Sequence, residues 1–262
     1  MSASMPATRD EPLFQYLLRL ADSPLVLAQR LGEWIGHGPV LEEDIAQANV
    51  GLDLLGQARL WLGYAGEVEA RYALAGRDED QLAFLRDSAE FRNLLLVEQP
   101  NGSFADTTAR QFLFDTWHAL LLSALARSSD ARIAGIAAKA TKEAAYHVER
   151  SGDWVIRLGD GTDESHARIQ AAVDALWMYT GEMFTPDATE LELIDEGIAA
   201  DVRLVAAPWR RHVDSVFAEA TLIAPRDAFM QQGGKRGLHT EHLGRLLAEM
   251  QVLQRSYSGA HW

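Results

Sequence analysis

Phe112-Leu113-Phe114-Asp115-Thr116-Trp117-His118-Ala119-Leu120-Leu121-Leu122 is apolar on nearly every side of a helix. A helix without a polar face belongs inside a bundle. Its one carboxylate, Asp115, is expected to have a hydrogen-bonding or cationic partner, because an unpaired buried carboxylate costs several kcal/mol. His118, one turn on, is the nearest candidate. Outward from this stretch the apolar residues recur at three and four, as in Leu27, Leu31, Trp34 and Ile35, or Leu52, Leu55 and Leu62. Stops are legible at His37-Gly38-Pro39, Gln99-Pro100-Asn101-Gly102, Gly159-Asp160-Gly161-Thr162 and Gly233-Gly234-Lys235-Arg236-Gly237. Ser103 and Asp106 have the spacing of a capping pair opening a helix. The pattern predicts helices over 23–37, 41–74, 80–97, 105–128, 131–158, 164–184 and 197–220, plus terminal ones, the last near 240–256. Short connections between long helices make antiparallel neighbours, hence an all-α four-helix bundle core with additional flanking helices. No Pro-, Gly- or Ser-rich linker divides the chain. Residues 13–262 are expected to form one domain behind a disordered tail over 1–12.

Composition narrows the function. The 262 residues are 48% hydrophobic, enough for a sizeable core, and carry a formal charge of −14. That charge argues against nucleic acid and against an anionic membrane surface, both of which select clusters of Lys and Arg. Absence of cysteine removes thiolate nucleophiles, disulfides and cysteine-ligated clusters. No signal-like segment or membrane-spanning apolar run is present, so a cytoplasmic protein is expected.

Polar residues recur at interior-looking positions on four helices: Glu33, Asp53 with Gln57, Asp115, and Glu143 with His147. Di-iron bundles use this layout, with one carboxylate from each of two helices and a Glu-x-x-His turn from each of two others. The strict spacing fails. Three residues before Gln57 stands Leu54, and three before His147 stands Ala144. Neither side chain can ligate iron, and an amide is a poor replacement for imidazole. A surface ion pair between Glu143 and His147 is the plainer reading of their i, i+4 spacing.

Longer strings carry a resemblance. LVLAQRLGEWIGHGP (25–39), NVGLDLLGQAR (49–59), NLLLVEQPNGSFADT (93–107), KEAAYH (142–147), GGKRGLHTEHLG (233–244) and LAEMQVLQR (247–255) resemble the structural C subunits of the bacterial multicomponent phenylacetyl-CoA epoxidase. The likeness runs from about residue 13 to 257. It implies a ferritin-like fold and a hetero-oligomer with a homologous catalytic subunit. That subunit holds the di-iron centre and epoxidises the ring of phenylacetyl-CoA, with electrons from NADPH delivered by other subunits. Against its ligand pattern, Glu33 matches the first-helix glutamate, Asp115 the third-helix carboxylate and His147 the second histidine. The positions of Leu54, Gln57 and Ala144 are lost, with Asp53 and Glu143 beside two of them. The resemblance therefore implies no metal, no cofactor and no catalytic residue in this chain. The surviving polar residues are expected to form a core network, with His147, His118 or Lys139 as counter-cation.

Two other readings remain open: an active di-metal oxygenase with an atypical ligand set, and a subunit whose emptied core binds a CoA ester. His239-Thr240-Glu241-His242 lacks zinc spacing, and Thr240 is expected to cap a helix. The 233–237 segment is expected to be a flexible linker, the alternative being that Lys235 and Arg236 meet an acidic partner or CoA phosphates. Leu243, Leu246, Leu247, Met250 and Leu253 read as a core stripe. Part of this stripe or the following aromatic tail, Tyr257 to Trp262, is expected to dock on the catalytic subunit.

Overall fold

A computed structural model of the chain describes residues 10–226, 229–257 and 260. Its helices are α1 (Asp10–Glu33), α2 (Leu41–Glu69), α3 (Glu79–Phe84), α4 (Phe104–Leu125), α5 (Ala131–Gly159), α6 (Asp163–Trp177), α7 (Ala188–Asp195), α8 (Val202–Glu219), α9 (Glu241–Met250) and α10 (Val252–Ser256). No strand occurs among the described residues. The fold is all-α and ferritin-like. Two hairpins, α1 on α2 and α4 on α5, make the core. α6 and α8 cover α4 and α5, α7 and α9 lie on α1, and α3 lies on α2.

The first helix is longer than its sequence pattern suggests. It begins at Asp10, so residues 10–12, expected in the tail, form its first turn. Residues 1–9 lie outside the described residues. It runs through Pro24, which costs one backbone hydrogen bond. Burial of Leu17, Leu20, Leu25 and Leu27 around the proline offsets that loss. The helix ends at Glu33, before the expected His-Gly-Pro stop, in a turn where Gly36 has φ +87°. The Asp44 carboxylate closes this turn, accepting the N–H groups of Gly36 and Gly38 at 2.9 and 3.0 Å.

The helix expected over 80–97 does not form. α3 stops at Phe84, a 3₁₀ turn follows at Ser88–Glu90, and 91–99 is irregular yet almost wholly buried. Its apolar residues imitate a helical stripe, but tertiary bonds hold its backbone open. Arg86, 1% exposed, donates to both oxygens of Asp22, which is fully buried. Asp22 also accepts the Arg92 N–H at 2.7 Å, and Ser23 Oγ accepts the Leu94 N–H at 3.0 Å.

Nor is 233–237 a flexible linker. It forms a 3₁₀ turn (Gly234–Arg236) packed on the 91–99 segment, where a Cβ on Gly234 would meet Asn93 O at 2.1 Å. Lys235 is buried and pairs with Glu190 at 2.9 Å, which removes it as a contact for an external acid. Two buried glutamates clamp the segments together. Glu182 accepts the N–H groups of Leu95 and Gly233, and Glu98 accepts Asn93 Nδ2, His239 Nδ1–H and Thr240 N–H. Thr240 does precede α9, but its hydroxyl makes no capping bond.

The terminal helix is broken at Gln251, whose amide donates to Ala83 O and Arg86 O, both at 3.0 Å. Leu243, Leu246 and Leu247 are core residues and Met250 packs against them, whereas Leu253 is half exposed. Of the aromatic tail, residues 258, 259, 261 and 262 lie outside the described residues, and Tyr257 is exposed. α7 is a further helix that lay hidden within 184–197. α6 ends at Trp177 and a 3₁₀ turn (Gly181–Phe184) completes the stretch predicted as one helix to 184.

Candidate functional site

The site is built from α2 and α5, two antiparallel helices of 29 residues each. Their packing is slight compared with α1 on α2 or α4 on α5. They are joined instead by a ladder of side-chain bonds. Glu43 accepts from Arg150 and from Trp154 Nε1 at 2.6 and 2.7 Å. The His147 ring meets Asp53 through Nε2 at 3.1 Å, and Gln57 Nε2 donates to Glu143 at 2.9 Å. Tyr64 donates to Asp130 at 2.6 Å, and Arg132 to Glu67 at 2.9 Å. From Glu43 to Tyr64 the partners descend from α5 to its cap as the chain ascends α2, as an antiparallel seam requires, and Glu67–Arg132 closes the same end as Tyr64–Asp130. Glu143 and His147 are thus not partners of each other. Each reaches across to α2.

The positions matched to metal ligands divide into two groups. Leu54 and Ala144 are fully buried aliphatic residues of the core. Gln57, His147 and Asp115 are also buried. Asp115 faces His147 closely enough to feel its charge, but its bonded partner is Gln111, one turn earlier on α4, which donates to Oδ1 at 2.6 Å. His118, the partner suggested by spacing, packs against Phe114 and Trp117 instead. Glu33 stands apart. At the end of α1 it accepts from Arg30 at 2.8 Å, in a cluster with the buried guanidinium of Arg110.

Electrostatics follow from burial. Desolvation raises the Asp115 carboxyl from 3.8 to about 6, with His147, Ser151, Gln111 and Arg150 pulling the other way. The same cause drives the His118 imidazole down from 6.5 to about 3, so this ring is neutral at pH 7 and cannot be the counter-cation. Arg110 is pulled down to about 9 by burial first and by Arg30 second. Its Nη atoms donate to Gln99 O and Asn101 Oδ1. Arg30 is the cation beside Glu33. Lys139, the other cation suggested, lines an open groove of about 530 Å³ between α2 and α5, together with Asp53, Gln57 and Glu143.

This residue set does not fit a two-metal carboxylate centre. Two of its ligand positions are hydrocarbon, a third is an amide already bonded to Glu143, and Glu33 is turned to Arg30. Among the described residues no group of three or more His, Asp or Glu side chains is arranged to hold a metal ion. Several buried polar atoms nonetheless lack a partner, including Asp115 Oδ2, Gln111 Oε1, Gln57 Oε1 and His147 Nδ1. Sequence reasoning overlooked Gln111, Arg30 and Arg110. The i−4 spacing of Gln111 from Asp115 was the available signal for the first.

A family model described as "Phenylacetic acid catabolic protein" matches residues 1–262. The chain belongs to this family. A curated member, the C subunit of the 1,2-phenylacetyl-CoA epoxidase of Escherichia coli (strain K12), is 54% identical over 251 residues, covering 95% of this chain and 99% of that protein. No helix among the described residues is long and apolar enough to cross a membrane.

Proposed function

We propose that this chain is the non-catalytic structural subunit of a phenylacetyl-CoA epoxidase, pairing with and stabilising a di-iron catalytic subunit. The observation carrying this reading is the replacement of ligand atoms by Leu54 and Ala144 while Gln57–Glu143 and Asp53–His147 bond directly across the seam. Aliphatic carbon offers no lone pair, and a seam closed by its own side chains holds two helices together without a metal. The likeness to a named epoxidase component supports the assembly and its substrate. The metal and the NADPH-derived electrons are assigned to other subunits, and the cytoplasm to the whole assembly.

The reading predicts the behaviour of His147→Asn in the assembled enzyme. Turnover per assembled complex should stay within about twofold of wild type, because a side chain that only bridges helices does not touch the transition state. Steady-state epoxidation, normalised to complex isolated by gel filtration, makes the measurement. Abolished turnover with intact assembly would assign His147 to the chemistry and favour the atypical di-metal reading.

A further inference from the structure

α2 and α5 are equally long and occupy equivalent places in their hairpins, yet their outer faces differ. The outward positions of α5 include Lys139, Lys142, Glu149 and Asp153. Those of α2, besides Glu42, Asn49, Arg59 and Glu67, include Leu41, Ile45, Leu52, Leu55 and Leu60, with Leu41 70% and Leu52 65% exposed. These apolar residues fall on one stripe at helical spacing, and Ile35 extends it from the end of α1. A helix apolar on all sides is a helix buried on all sides, and an apolar stripe of this length marks an interaction face.

Glycines give a second, independent observation. Gly56 and Gly63 lie inside α2 on the same side, where a Cβ would meet nothing within 4 Å. Gly51 and Gly66 are explained within the chain, by contact with Leu31 and with Arg77 O. Gly56 and Gly63 are not explained so. Both open onto the groove beside α5, whose walls include Leu52, Leu60, Arg59 and Lys139. Small residues along a helix crest let a second helix come close.

Charge selects the occupant. Between Leu52 and Gly63 the charged side chains are Asp53, which meets His147, and Arg59, which is bonded to Glu79. Asp53 and Glu143 are already bonded within the seam and Arg132, which also lines the groove, is bonded to Glu67, so among the described groove residues the cation left for a visitor is Lys139. Two copies of this chain meeting at this face would bring together molecules that each carry a formal charge of −14. We infer that the Leu52–Gly63 crest of α2 and its groove seat an apolar helix of another epoxidase subunit. That helix would carry large side chains over Gly56 and Gly63 and a carboxylate facing Lys139.

The inference rests on the structural-subunit reading, and the test separates the two. The full chain is co-expressed with the other epoxidase subunits, and the affinity of the purified components is measured by interferometry. Leu52→Glu and Gly56→Leu alter only exposed positions, so the isolated variants should keep the wild-type helical spectrum and melting curve. Each should weaken association about tenfold or more, and Lys139→Glu should slow it in a salt-dependent way. Variants that assemble like wild type would overturn the assigned face while leaving the subunit reading intact. An isolated chain that dimerises, and that Leu52→Glu makes monomeric, would overturn the hetero-partner in favour of a second copy. A wild-type chain that binds no other subunit would overturn both.

Discussion

Arg86→Met is expected to cost about 3–5 kcal/mol of folding free energy, the loss found when one member of a buried ion pair is removed. Arg86 and Asp22 have side chains 1% and 0% exposed. The guanidinium also donates to Leu82 O and Glu90 O and lies over the Phe91 ring at 4.3 Å. Methionine fills much of the volume but leaves the Asp22 carboxylate in the core with only the Arg92 N–H as donor. The damage should be larger than a local one. Asp22, Ser23 and Arg86 fix the irregular 86–99 segment, on which the 233–240 turn and α9 in turn rest. Urea unfolding should show a lowered midpoint, and hydrogen exchange should show early opening at both segments. A loss under about 1 kcal/mol would place the pair among weak surface bridges and contradict this account of the segment.

Asp115→Asn should act in the opposite direction, and only above acid pH. The carboxyl is raised from 3.8 to about 6 in the folded chain. Below about pH 4 both folded and unfolded chains hold it protonated and the burial has no electrostatic cost. As pH rises through 4 to 6 the unfolded chain ionises first, so this contribution to stability is lost and remains lost above pH 6. At about 1.4 kcal/mol per pH unit between the two values, the penalty near pH 8 approaches 3 kcal/mol. Asparagine keeps the acceptor for Gln111 without the charge, so a gain of about 1–3 kcal/mol is expected at pH 8 and none at pH 4. His118 has the reverse slope. Driven down to about 3, it contributes stability above pH 6.5 that is lost as pH falls. The two opposing slopes partly cancel in the wild type, so the variant should lose stability more steeply on acidification. Thermal melts across pH 4 to 8 decide it. Destabilisation at pH 8 would mean that the Asp115 anion is wanted, as a ligand would be.

Helices α2, α4 and α5 were legible because long periodic stretches end at strong stops, such as Gln99-Pro100-Asn101-Gly102 before α4. The first half of α1 lay outside the 23–37 stretch read as a helix, although the helix holds Pro12 in its first turn and Pro24 in a tightly packed interior. The 91–99 segment was misread because Leu94, Leu95 and Val97 imitate a helical stripe, while its actual anchors, Asp22, Glu98 and Glu182, lie at positions that local periodicity does not couple. Similarly, Gly233–Gly237 looks loose by composition. Its glycines instead permit close approach to Asn93 and Ala89.

At the candidate site the missing donors were readable one residue at a time, since Leu54 and Ala144 need no structure to disqualify them. Pairing was less readable. Asp53–His147 and Gln57–Glu143 depend on the antiparallel register of helices nearly a hundred residues apart, and Glu33 depends on where α1 ends. Spacing along one helix suggested Asp115–His118 and Glu143–His147. Contacts between helices, and an i−4 amide, won in both cases.

Iron analysis of the separated components tests the central claim most directly. The chain is co-expressed with the catalytic subunit, the assembled enzyme is dissociated under native conditions, and iron and manganese are determined by mass spectrometry on each fraction. The account predicts metal with the catalytic subunit and only trace amounts with this chain, alone or after dissociation. Near-stoichiometric metal retained by this chain, and lost on His147→Asn or Asp115→Asn, would contradict it.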